Sequence, residues 1–413
     1  MDKRRVVITG MGVMAPTGVG CQAFWEATKS GISGIGSIEL FDTSDFSVKL
    51  GAEVKKFNPM DYMDKKESRR MDRFSQLAMA AASLAVEDAG IDFSTLDATK
   101  IGVLVGSGIG GLGTLETEVL RLKEKGPSRV APLLVPMMIP NMASGNIAIR
   151  YGLKGMCTCA VTACATGTNS IGDAYRLVRD GYADVMVCGG AEAPITPLSL
   201  AGFSTLGAMT ERTDPTRASI PFDKERDGFV VGEGAGVLII EALEHAEKRN
   251  ACIRGEIKGY GSTCDAYHMT APSPTGDGAT ECMRLAFADQ GVNPCEVDYI
   301  NAHGTSTPPN DKVETMAIKN LLGEKAYKIA VSSTKSMTGH MLGAAGAAEA
   351  VICVMAVREG FVPPTIGYRV PDEECDLDYV PNVGRKTEVR YALSNSFGFG
   401  GHNASLLFGK FEG

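Results

Sequence analysis

No apolar run in this sequence is long enough to span a bilayer. The best candidate, Met341 to Val357, carries Glu349 and reads as a buried helix. A cationic surplus is also missing. Lys and Arg number 41 against 49 Asp and Glu, a net charge of −8 that disfavours bulk binding to nucleic-acid phosphates. There is no Gly-x-x-x-x-Gly-Lys-[Ser/Thr] loop, which excludes a P-loop nucleotide site. No Cys-x-x-Cys pair occurs, only Cys157-x-Cys159, so no structural zinc site is expected. The cysteines number 11, an odd and scattered set that points to reduced thiols in the cytoplasm rather than to a disulfide framework. Lys3, Arg4 and Arg5 precede an apolar run and imitate a secretory signal. That run is broken by Gly10 and Gly12 and lacks an Ala-x-Ala site, so a strand is expected instead.

What is present suits two units with one shared core. The chain has 413 residues, 44% hydrophobic and 22% charged. Strand and helix patterns alternate, which implies an α/β fold with largely buried strands. Strands are expected at residues 5–9, 101–105, 158–161, 185–188 and 237–240, and helices near 21–29, 74–89, 112–123 and 166–179. The second part repeats the plan, with strands at 256–260, 298–301, 329–332 and 391–395 and helices at 280–289, 312–321 and 342–357. Two faint echoes support a duplication. The octad Leu84 to Ile91 resembles Leu285 to Val292, and Val231 to Ala235 resembles Gly400 to Ala404. The expected division is residues 1–250 and 251–413, packed as one body because no long linker separates them.

Two glycine-rich strand exits imitate dinucleotide sites. Gly10-x-Gly12-x-x-Ala15 meets Pro16 before any helix, and Gly106-x-Gly108-x-x-Gly111 lacks the acidic strand end about 20 residues on. The informative segment is Val161 to Thr168, which places Cys164 at a strand-to-helix turn among small residues. A helix N-terminus there favours thiolate. Only five histidines exist. His245 sits in a polar helix and reads as surface, and His268 is ambiguous. His303 and His340 lie at element ends among glycines and hydroxyls, the pattern expected of a Cys–His nucleophilic site.

The strings Thr162-Ala163-Cys164-Ala165-Thr166-Gly167, Asn301-Ala302-His303-Gly304-Thr305-Ser306-Thr307, Ser333-Thr334-Lys335-Ser336, Gly339 to Gly346 and Asn395 to Gly401 occur in one order over nearly the whole length. With them the chain resembles the β-ketoacyl-[acyl-carrier-protein] synthases, and among them the elongating type II enzymes of fatty-acid synthesis. The resemblance implies a thiolase fold: two duplicated α/β halves in a five-layer α-β-α-β-α sandwich, assembled as a homodimer. It implies a decarboxylative Claisen condensation. Cys164 would take the acyl group, and the N–H groups of Cys164 and Phe399 would form an oxyanion hole. His303 and His340 would bind the malonyl thioester carbonyl. Lys335 would support them, paired with Glu349. Thr305, Thr307 and Thr270 would contact substrate, the first two at the pantetheine arm. Ile109 and Phe203 would line the acyl tunnel, which Phe399 would gate. Lys65, Lys66, Arg69 and Arg70 would meet the acidic acyl-carrier protein. The resemblance implies no metal and no cofactor of the protein's own, since 4′-phosphopantetheine arrives on the carrier.

Two departures from the family pattern stand out. His402 sits beside the gate, and Pro308-Pro309 is expected to stiffen the loop after Thr307. Other readings of the same fold are a polyketide ketosynthase, a thiolase, or a non-catalytic chain-length partner. A thiolase would carry a second active cysteine in the last segment, and Tyr391 to Gly413 contains none. A chain-length partner would lack the nucleophile.

Overall fold

The computed structural model describes residues 3–55 and 57–413. Its central feature is a sheet whose main strands are β1 (Val6–Ala15), β2 (Ile101–Gly106), β3 (Cys157–Thr158), β4 (Val185–Glu192) and β5 (Gly234–Ala242), followed by β6 (Gly255–Cys264), β7 (Tyr299–Asn301), β8 (Ala330–Ser332), β9 (Tyr391–Gly398) and β10 (His402–Gly409). The first five lie in the order β3-β2-β4-β5-β1 and the second five in the order β8-β7-β9-β10-β6. Both halves therefore run third, second, fourth, fifth, first. In each, the third, second and fourth strands are parallel, and the fifth is antiparallel to both of its neighbours. The halves join edge to edge where Val6–Ile8 of β1 pairs antiparallel with Gly255–Ile257 of β6.

Helices complete five layers. Helices α1 (Arg73–Ala89) and α2 (Met142–Tyr151) cover the outer face of the first half. Between the halves, α3 (Thr166–Arg179) packs on α6 (Ala345–Glu359). Helices α4 (Asp277–Ala288) and α5 (Pro308–Leu322) cover the outer face of the second. Every residue from Ala345 to Val357 is buried, as expected of a helix that is apolar on nearly every face; its one charge in that stretch, Glu349, is paired with Lys335. Small residues let the two central helices approach. A Cβ on Gly346 would stand 2.0 Å from Thr168 Oγ1, and one on Gly167 would stand 2.9 Å from the Ala347 nitrogen.

Both echoes fall at equivalent places: the ends of α1 and α4, and the starts of β5 and β10. Three expectations need correction. The strand expected at 158–161 is only Cys157–Thr158, because Thr162 N–H bonds Thr166 Oγ1 and turns the chain out of the sheet. Pro308 and Pro309 begin α5, where a missing N–H costs nothing, rather than stiffening a loop. His245 is not a free surface residue, since its ring bonds the buried Glu241 carboxylate at 2.6 Å. Strand β10 carried no clear signal, because its glycine-rich start masks the alternation. No helix among the described residues is long and apolar enough to cross a membrane.

Candidate active site

Cys164 lies in a tight turn, Ala163–Ala165, that runs straight into α3. Its neighbour Ala163 is held at φ 49, a left-handed conformation that costs a non-glycine residue about 1–3 kcal/mol. The loops after β7 and β8 bring the second half to this sulfur. His340 Nε2 lies 3.0 Å from Cys164 Sγ. The His303 and His340 rings meet edge to face, with centroids 5.3 Å apart. Phe229 closes against His340 and Phe397 against His303.

The electrostatics correct one expectation. Burial pushes the Cys164 thiol up to about 12, and the opposing pull of Lys335 does not offset it. The resting group is thus a thiol, not a thiolate, despite the helix start. The N–H groups of Phe399 and of Cys164 itself face the sulfur and favour negative charge there. Burial and the Lys335 charge hold both imidazoles well below their ordinary pKa. They are neutral and able to act as hydrogen-bond donors, and among the described residues neither Nδ1 has a partner. Lys335 Nζ bonds Glu349 Oε1 at 2.5 Å, both side chains being almost wholly buried. Burial raises the Glu349 carboxyl against the pull of Lys335.

A cleft of about 280 Å³ opens over the sulfur. Cys164, His303, His340 and Phe399 form its floor together with Thr305 and Thr307, whose hydroxyls are 2.9 Å apart. Phe203 and Thr270 also line it. Ile109 does not. Its N–H is turned inward to Glu192, while its side chain is 38% exposed. Lys65 and Lys66 lie on a short helix, Lys65–Ser68, and Arg69 and Arg70 follow it; all four are exposed. His402 opens β10 with its ring against Gly400.

Two buried carboxylates escaped the sequence reading. Glu314 of α5 accepts the His303 and Gly304 N–H groups at 2.8 Å each and so fixes the histidine loop. Glu192, at the end of β4, accepts from Ser107 Oγ, Gly108 N, Ile109 N and Gly343 N, tying the exit of β2 to the turn after His340. A signal for Glu314 existed. Asp311, Glu314, Thr315 and Ile318 share one face of α5, so acidic residues occupy positions whose helical spacing assigns them to the core.

Residues 3–246 match the beta-ketoacyl synthase N-terminal domain family and residues 254–369 the corresponding C-terminal domain family. Over 413 residues the chain is 56% identical to the 3-oxoacyl-[acyl-carrier-protein] synthase 2 of Synechocystis sp., covering all of this chain and 99% of that protein. It is 53% identical over 411 residues to the protein of that name from Staphylococcus aureus, again covering 100% of this chain and 99% of that one. Among solved structures it superposes with a TM-score of 0.93 and 36% identity on a type II polyketide ketosynthase chain from a complex with its acyl-carrier protein, covering 99% of this chain and 100% of that one. A β-ketoacyl synthase from Burkholderia phymatum gives a TM-score of 0.91 at 35% identity with the same coverage. With a duplicated five-layer fold and a cysteine facing two histidines, the chain belongs to the β-ketoacyl synthase family of thiolase-fold condensing enzymes.

Proposed function

We propose that this chain is an elongating β-ketoacyl-acyl-carrier-protein synthase of type II fatty-acid synthesis, condensing malonyl-carrier protein with a Cys164-bound acyl chain. The observation that carries the reading is the contact of His340 Nε2 with the Cys164 sulfur, with the His303 ring packed on His340 and all three lining one cleft. Identity of 56% to a fatty-acid synthase component, against 36% to a polyketide ketosynthase, favours the fatty-acid substrate.

The thiol attacks the acyl thioester, passing its proton toward His340 Nε2. The tetrahedral oxyanion is held by the Cys164 and Phe399 N–H groups, and the carrier thiol leaves. Malonyl-carrier protein then binds with its thioester carbonyl against the two neutral imidazoles. Loss of CO₂ leaves an enolate that they stabilise, and its carbon attacks the acyl carbonyl; the bond to Cys164 Sγ breaks, 3-oxoacyl-carrier protein forms, and the expelled thiolate takes a proton from solvent to restore the resting thiol. Neutral rings suit this role, because a donor fixed in a dry site stabilises charge as it develops. The Lys335–Glu349 pair supplies a fixed positive pole beside the rings. Thr305 and Thr307 receive the pantetheine amides, with Thr270 nearby and Phe203 on the acyl side. The phosphopantetheine belongs to the substrate.

Residues 1–250 thus carry the nucleophile and 251–413 the histidines, a division supported by the two family matches. Exposed Lys65, Lys66, Arg69 and Arg70 dock the acidic carrier protein. Met156 and Val161, both more than half exposed, flank β3 at the end of the sheet and support a homodimer formed across that edge. The odd, scattered set of cysteines supports a cytoplasmic location. Mass spectrometry after incubation with a panel of acyl-carrier-protein thioesters tests the reading. Acyl mass on Cys164 is expected, and no adduct from any donor would refute it.

A further inference from the structure

The turn that presents Cys164 is strained at Ala163, and its conformation is held from Thr162. Thr162 is tied at three points. Its N–H donates to Thr166 Oγ1 at 2.9 Å, its carbonyl accepts from Ala165 N at 3.0 Å, and its hydroxyl donates to Asn169 Oδ1 at 2.7 Å. The first two bonds are local, but the third leads into the other half of the molecule. Asn169 Nδ2 donates to the Tyr260 hydroxyl at 2.6 Å and to Ser262 Oγ at 3.2 Å, both on β6.

Tyr260 is 2% exposed. Its ring packs on Gly172 of α3, where any Cβ would come within 2.3 Å of ring carbons, and the Arg176 guanidinium stands 4.4 Å from its centroid. Thr162, Asn169 and Tyr260 all lie outside the cleft lining, so they act on the reaction only through Cys164. The amide of Asn169 is the link that must be oriented. Its oxygen faces Thr162 because its nitrogen is engaged by two hydroxyls. Without the Tyr260 hydroxyl only the longer bond to Ser262 remains. The amide is then free to rotate and present a donor to Thr162 in place of an acceptor.

We propose that Tyr260 is a positioning residue for the nucleophile: through Asn169 and Thr162, its hydroxyl fixes the strained turn that sets the Cys164 sulfur and the Cys164 N–H. This deepens, and rests on, the reading of Cys164 as the acyl-accepting thiol.

Tyr260→Phe removes one oxygen and keeps the ring on Gly172 and Arg176. Acylation of Cys164 by an acyl-carrier-protein thioester should slow about tenfold at an unchanged KM, less than the hundredfold that a full ångström of misplacement costs. Alkylation of Cys164 by iodoacetamide should change its pH profile in the same variant. Asn169→Ala should slow acylation at least as much, and adding Tyr260→Phe to it should slow it no further, because the two act in series. Acylation within twofold of wild type in Tyr260→Phe, or additive losses in the double variant, would overturn the proposal. So would a lowered melting temperature with unchanged acylation and alkylation. Failure of the wild-type protein to acylate would instead strike the proposed function, and the alkylation arm would still decide the role of Tyr260.

Discussion

The Nε2 atom of His340 lies 3.0 Å from the Sγ atom of Cys164, across 176 residues of sequence. Each sits at the mouth of a different half of the duplicated fold, and neither half alone contains the pair. The chemistry is therefore a property of the interface between α3 and the loops after β7 and β8.

Removing the sulfur should remove the covalent intermediate. Cys164→Ala is expected to show no acyl adduct by intact-protein mass spectrometry while keeping its fold by circular dichroism. A persisting adduct would place the nucleophile elsewhere among the 11 cysteines.

In the proposed reaction His303 and the sulfur serve different steps. His303→Ala should cut decarboxylation of malonyl-carrier protein by roughly a hundredfold or more, the cost of one lost oxyanion donor. Acyl loading, measured on the same sample, should fall far less. Equal loss in both steps would count against the assignment.

Lys335 and Glu349 are an ion pair taken fully out of water. Lys335→Met leaves the carboxylate buried without its cation and should destabilise the fold by about 3–5 kcal/mol in urea denaturation. Lys335→Met combined with Glu349→Gln should recover most of that stability but not the activity, since the positive pole beside the histidines is gone. Recovered activity would remove the electrostatic role.

Burial raises the Glu314 carboxyl from its ordinary 4.5 to about 7. A folded pKa above the unfolded one means that the native state holds the proton more tightly. Its contribution is complete below about pH 4.5 and is lost as pH rises to about 7, an effect of roughly 3 kcal/mol. Melting temperatures measured between pH 5 and 7 should lose this slope in Glu314→Gln. Because the same carboxylate holds the His303 loop, that variant should also lose activity. An unchanged slope would show that another group titrates.

Charge reversal at Lys65 and Arg69 should slow association with acyl-carrier protein by roughly tenfold at low salt, with the difference shrinking as salt is added. Stopped-flow binding reads this directly, and an unchanged rate would remove the docking patch.

Much of this is legible in the amino-acid sequence. The helices at Cys21–Lys29 and Thr166–Arg179 follow from local pattern and end where expected. The strand signals of both halves came from short β-branched runs, which local sterics favour wherever the chain folds. The histidines stood out because the sequence has so few, set among glycines that allow close backbone approach.

Other features belong to the tertiary structure alone. Whether Cys164 rests as thiol or thiolate depends on how dry its surroundings are, and burial overrides the helix N-terminus that the sequence announces. Ile109 lies outside the cleft lining, with its N–H bonded to Glu192, 83 residues further along the chain. Tyr260, Glu192 and Glu314 gain their roles only from partners far along the chain, and spacing cannot encode a contact that the packing of two halves creates. Local sequence specified most of the elements, the duplication and the reactive residue types. The distances among those residues, and the charges they carry, were decided by which faces the fold buries together.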